Sequence, residues 1–153
     1  MSKNRQSFKR ILFALYCLGM LALLFVRDQY DVSRPYWQLI RENHNFLPFY
    51  TILGQLRCLF SGRGGLVRYA VVNLGGNTLL FVPLGFFLPW VFEKLRRFPK
   101  TLLAVAIVIA LVELLQLFTL RGYADIDDFL LNTVSASVGY LLFRLLFDEG
   151  SIA

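Results

Sequence analysis

Cysteine and histidine are too scarce in this chain to carry their usual chemistry. Cys17 lies in an apolar run and Cys58 in a polar stretch, so the two make neither a disulfide framework nor a Cys-x-x-Cys pair. The one histidine, His44, stands in a loop, which leaves neither a Ser–His nor a Cys–His arrangement. Charge is scarce as well. Charged residues make up 17% of the 153 positions, where a soluble domain carries about 25%. The remainder is 57% hydrophobic and 16% aromatic, with a mean hydropathy of +0.58. That is the composition of a membrane protein, read here as a single domain over residues 1–153. Despite the net charge of +6, no Arg/Lys stripe with interleaved aromatics occurs in a soluble context, which argues against nucleic acid as a partner. No internal repeat is visible either, which speaks against a transporter.

Four apolar runs account for most of the chain. Their expected membrane-spanning limits are about 8–27, 69–92, 101–120 and 126–147. The first follows a basic start (Lys3, Arg5, Lys9, Arg10) and is not followed by a small-x-small cleavage site, so it reads as an uncleaved helix. In the second, Asn73 and Asn77 share a face, Gly75 and Gly76 offer close backbone approach, and Pro83 with Gly85 predicts a kink. In the fourth, Asp128, Asn132, Ser135 and Gly139 form one stripe, and Ser135-x-x-x-Gly139 reads as a packing seam. The 28–67 loop contains Asn45–Phe60, whose apolar residues recur at three- and four-residue spacing after Pro48. This predicts an amphipathic helix at the membrane interface, ending at a Ser61–Gly65 joint. The fold class expected is therefore all-α: a bundle of four transmembrane helices plus one interfacial helix.

The basic segments 1–10 and 93–100 hold eight of the sixteen Lys and Arg residues. They place both termini in the cytoplasm. On that orientation Asn77, Glu113 and Asn132, from three different spans, lie roughly 9–12 Å below the outer boundary. Glu113 and Gln116 share a face of the third span. An ionisable group inside a membrane normally faces the protein interior and serves a function. The candidate ligand-binding residues are Asn73, Asn77, Glu113, Gln116, Arg121, Asp125, Asp128 and Asn132, with Glu113 and Asp128 as candidate catalytic groups. The competing reading is that these polar groups only hold helices together. On it, Asp125 and Asp128 cap the fourth helix, Glu113 bonds to Asn73 or Asn77, and Arg121 anchors at the interface or pairs with Asp125, Asp127 or Asp128. Asp125-x-Asp127-Asp128 is a weak divalent-ion signal, and no metal or other cofactor is expected.

Several of these segments resemble the VanZ-like family of small bacterial integral-membrane proteins, one of which gives its name to low-level teicoplanin resistance. They are Asn45–Ile52, Asn73–Asn77 with Phe81–Gly85, Glu113–Gln116, and Arg121–Asp128 with Asn132–Thr133. The likeness runs over roughly residues 8–147 and keeps order and spacing. Ser135 departs from it, where the family usually has glycine. The resemblance implies a multi-pass protein of the bacterial plasma membrane and a phenotype class, but no mechanism. Three functions are carried forward. One is binding of membrane lipid, a lipid-linked wall precursor or a lipoglycopeptide at an outward-facing site, with the 49–60 helix as a lid. The second is an intramembrane enzyme acting on an envelope lipid or isoprenoid-linked substrate, with Glu113 as acid/base. The third is a passive assembly protein.

Overall fold

A computed structural model describes residues 3–25 and 34–147 of the chain. The expected end of the first span at residues 26–27, the loop positions 28–33 and residues 148–153 lie outside the described residues. The elements in order are α1 (Lys3–Phe25), α2 (Tyr36–Glu42), β1 (His44–Asn45), α3 (Tyr50–Leu59), α4 (Gly64–Val91), a 3-10 turn at Glu93–Leu95, α5 (Phe98–Thr119), β2 (Ala124–Asp125) and α6 (Ile126–Phe147). Among the described residues, α1, α4, α5 and α6 are the four helices long and apolar enough to cross a membrane. Apolar runs of this length have no water to satisfy their backbone, so the groups pair along the helix. The amphipathic helix expected in the 28–67 loop is α3, and it packs against α4. α2 and the two-residue strands were not foreseen.

The hydrogen bonds between helices sort the bundle into two ends. At one, Lys9 Nζ donates to the Trp90 carbonyl at 3.1 Å and Gln6 Nε2 to the Val91 carbonyl at 2.9 Å. There the Tyr140 hydroxyl also donates to the Arg96 carbonyl at 2.9 Å. This end gathers the start of α1, the α4–α5 link and the end of α6, with all four lysines of the chain. We call it the basic end. At the other, Gln116 Nε2 donates to Leu24 O at 3.3 Å, the Tyr36 hydroxyl of α2 donates to Phe118 O of α5 at 2.7 Å, and α3 and both strands lie at the start of α6. This is the looped end. α1 and α5 therefore run one way and α4 and α6 the other.

Lys9 is buried at the C-terminus of α4, with its ammonium 4.7 Å from the Trp90 ring centroid. A cation there satisfies carbonyls that have no partner in their own helix and complements the helix dipole. Lys9→Met should lower stability in detergent by about 1–2 kcal/mol, read as a drop in melting temperature. An unchanged melt would mean that the contact adds nothing.

The core lies between α4, α5 and α6, with Phe81, Leu84, Val105, Ile109 and Ala136 almost fully enclosed. The outer faces carry leucines such as Leu79, Leu103 and Leu145. A soluble protein would not expose so much apolar surface, but lipid accepts it. α4 continues as helix through Pro83 and Pro89.

The close approach of α4 to α6 is not where it was expected. A Cβ on Gly75 or Gly76 would meet nothing within 4 Å. A Cβ on Gly85 would lie 1.7 Å from the Ala136 carbonyl oxygen, and one on Gly139 would lie 1.8 Å from that of Val82. The expected seam at Gly139 is therefore present, and its partner on α4 is Gly85. The Gly75–Gly76 pair falls on a stretch of α4 that no helix crosses closely.

Candidate functional site

The looped end is built around carboxylates that begin α6. β1 and β2 pair in parallel, His44 opposite Ala124 and Asn45 opposite Asp125, and the Ala124 N–H donates to Asn43 O at 3.0 Å. This short ladder brings the 44–52 segment against the start of α6. Phe49 then takes a left-handed conformation, φ 66°, and α3 begins. An α-helix starts with free N–H groups, and those of α3 have no side-chain cap of their own. Asp127 supplies one from 75 to 78 positions away. Its Oδ1 accepts the Phe49 N–H at 2.5 Å, and its Oδ2 accepts those of Thr51 at 2.8 Å and Ile52 at 3.1 Å. Asp127 is completely enclosed, at 0% exposure.

Asp125 works beside it. Its carboxylate accepts the Thr51 hydroxyl at 2.5 Å, the Asn45 amide at 3.4 Å and the Asp127 N–H at 2.9 Å. The last bond, from two residues on, is a cap at the start of α6. The Asp125 N–H in turn donates to Glu113 Oε2 at 3.1 Å. Glu113 is thus joined to Asp125 across the α5–α6 link. The carboxyl groups of Asp128 and Asp125 both act on it electrostatically. Asp128 is half-buried and engaged, and Asn132 lies one turn deeper on α6. Asn132 is 3% exposed, and its Oδ1 has no hydrogen-bond partner among the described residues.

The other expected residues sit around this centre without joining it. Gln116 bonds to Leu24 of α1 and lies against Gly122, which is helix-to-helix glue. Arg121 Nη1 donates to Phe25 O at 3.0 Å, and Arg121 has a further interaction. Asn73 turns back to Tyr69 O in its own helix at 2.8 Å, with a further interaction of its own. With Gly65, Arg68, Tyr69 and Val72 it lines an open groove of about 300 Å³ on α4. Asn77 is half-buried. Among the described residues no hydrogen bond joins Glu113 to Asn73, Asn77 or Asn132. The expected meeting of three spans through these side chains is therefore replaced by a carboxylate–backbone chain from Glu113 through Asp125 to α3. No group of three His, Cys, Asp or Glu residues able to hold a metal ion occurs among the described residues. Asp125 and Asp127 spend their oxygens on N–H and O–H donors instead. Outside the spans, the Arg34 guanidinium grips Glu42 at 2.6 and 2.8 Å and holds its carboxyl below the usual range.

Residues 13–147 match the family described as VanZ/LLP1. The chain belongs to that family. It is also similar to protein VanZ of Enterococcus faecium, with 27% identity over 137 residues that cover 89% of this chain and 73% of that protein. No solved structure matches it. This VanZ-like chain is thus a multi-pass membrane protein. Two of the segments that resemble the VanZ-like family, 45–52 and 121–128, meet at the looped end. Sequence reasoning missed Asn45, Thr51 and Asp127 as members of the centre. All three lie inside those two segments, and this clustering was the available signal.

Proposed function

We propose that this VanZ-like protein binds a lipid-linked component of the bacterial envelope at its looped end, with Glu113 and Asn132 as acceptors for the ligand. The basic end faces the cytoplasm on this reading, because lysines and arginines in short segments are retained there. The looped end then faces outward in the plasma membrane. The observation that carries the reading is the acceptor capacity left inside the bundle. Glu113 receives one N–H bond, and the buried Asn132 Oδ1 receives none among the described residues. Buried acceptors of this kind are costly unless a donor reaches them. Sugar hydroxyls and amino groups of a wall precursor or a glycopeptide are such donors, and an acyl or isoprenoid chain would hold them at membrane depth.

The test is drug susceptibility in cells carrying the protein. Susceptibility to glycopeptides with an acyl chain should change, and susceptibility to those without one should not. Glu113→Gln, which keeps the shape, should weaken the effect by about 5–10-fold, the weight of one hydrogen bond. An equal change for both drug types would sink the proposal. Lipid extracts analysed by mass spectrometry should be the same with and without the protein. A lipid that appears only with it would make Glu113 and Asp128 an acid/base pair acting on that lipid.

A further inference from the structure

We propose that α3 is a strap tethered at both ends and latched in the middle by Asp127, and that unlatching it opens the way to Glu113. The inference rests on the ligand reading above, because it supplies the entrance to that same site.

The strap has the parts such a device needs. One end is held by the β1–β2 ladder. The other is the short link at Ser61–Arg63 before α4, where Gly62 has φ 67° and a Cβ on it would meet nothing within 4 Å. A glycine in that conformation is the position where a chain pivots at least cost. Between these points, α3 lies along α4 but encloses little of its own surface. Gln55 alone among its residues is buried, while Tyr50 and Leu53 are exposed. In a membrane those two meet lipid whether the strap is down or up, so they favour neither state. Polar contacts fix its start: three N–H groups on one carboxylate, and the Thr51 hydroxyl on Asp125.

Phe49 supports the same conclusion. A bulky residue with positive φ is strained and persists only where its surroundings hold it. Its N–H is held by Asp127 Oδ1, so releasing the carboxylate also releases the strain. Both effects favour the open strap. Below the latch, Thr51 bonds to the Asp125 carboxylate and the Asp125 N–H bonds to Glu113, so lifting Thr51 frees the carboxylate next to Glu113.

The experiment uses the full chain in detergent micelles with Cys17 and Cys58 replaced by alanine. A single thiol is introduced by Gln55→Cys on the covered face of α3, and a water-soluble maleimide probes it. A second protein carries Val105→Cys in the core as a monitor of global unfolding. Asp127→Asn should raise labelling at position 55 on the order of tenfold or more, the equilibrium weight of one lost charge-assisted bond. Labelling at 105 should stay at its starting rate. Thr51→Val, which leaves the N–H latch in place, should give a smaller rise. An unchanged rate at 55 would overturn the proposal. So would an equal rise at both positions, because the carboxylate would then be holding the whole bundle. If labelling at 55 rises but Glu113→Gln leaves drug susceptibility untouched, the ligand reading falls and the strap stands. The reverse pair of results removes the strap and keeps the ligand.

Discussion

Gly85→Ala should abolish accumulation of the folded protein. The added methyl carbon would sit 1.7 Å from the Ala136 carbonyl oxygen and 2.5 Å from its carbon, where ordinary contact needs about 3.5 Å. The obstacle is backbone in the middle of α6, so no rotamer change relieves it. The two helices must move apart, and the close packing that holds membrane helices together is lost along the seam. A cost above about 3 kcal/mol is expected, a large part of the stability of a small domain. Gly139→Ala should behave alike, because its methyl would meet the Val82 carbonyl at 1.8 Å. Gly75→Ala and Gly76→Ala are the matched controls. They enter open space, and each should be neutral or stabilising by up to about 1 kcal/mol through helix propensity. Monodisperse yield and melting temperature in detergent measure all four. If Gly85→Ala melts like the unaltered protein, the seam is elsewhere.

Asp127→Leu should free α3 without dissolving the bundle. The carboxylate accepts three N–H bonds in a site closed to solvent. Removing it leaves those donors without acceptors, and losing one partner of a buried charged contact costs on the order of 3–5 kcal/mol. That loss falls on the docking of α3, because the core at Phe81, Val105 and Ile109 involves none of these groups. Limited trypsin digestion should therefore cut after Arg57, inside α3, at least about 100-fold faster than in the unaltered protein, since each 1.4 kcal/mol is a factor of ten. The four spans should remain intact on the gel. Cleavage at an unchanged rate would show that α3 is held by contacts other than the latch.

The spans were legible because a bilayer leaves the backbone one economical solution, and a long apolar run announces it. The interfacial helix was legible from the spacing of its leucines and isoleucines. The strands were not, since His44–Asn45 and Ala124–Asp125 have no strand propensity and exist only because their neighbours bring them together. The same limit applied to the acids. Asp125, Asp127 and Asp128 are near-identical on paper, and local rules assign all three to the first turn of α6. Asp127 acts on a different helix, and only the distant N–H groups of α3 distinguish it from the other two. Gly75 and Gly85 pose the same problem in the spans. A small residue permits close approach, but the crossing point of two helices decides where that permission is used.

The latch also imposes an order of manufacture. The strap leaves the ribosome before its fastener, with 74–78 residues of chain between the bonded groups. At about 5–20 residues per second, the gap lasts several seconds. Throughout that time the start of α3 lacks the Asp127 cap. A chain cut short before residue 127 would lack that cap permanently.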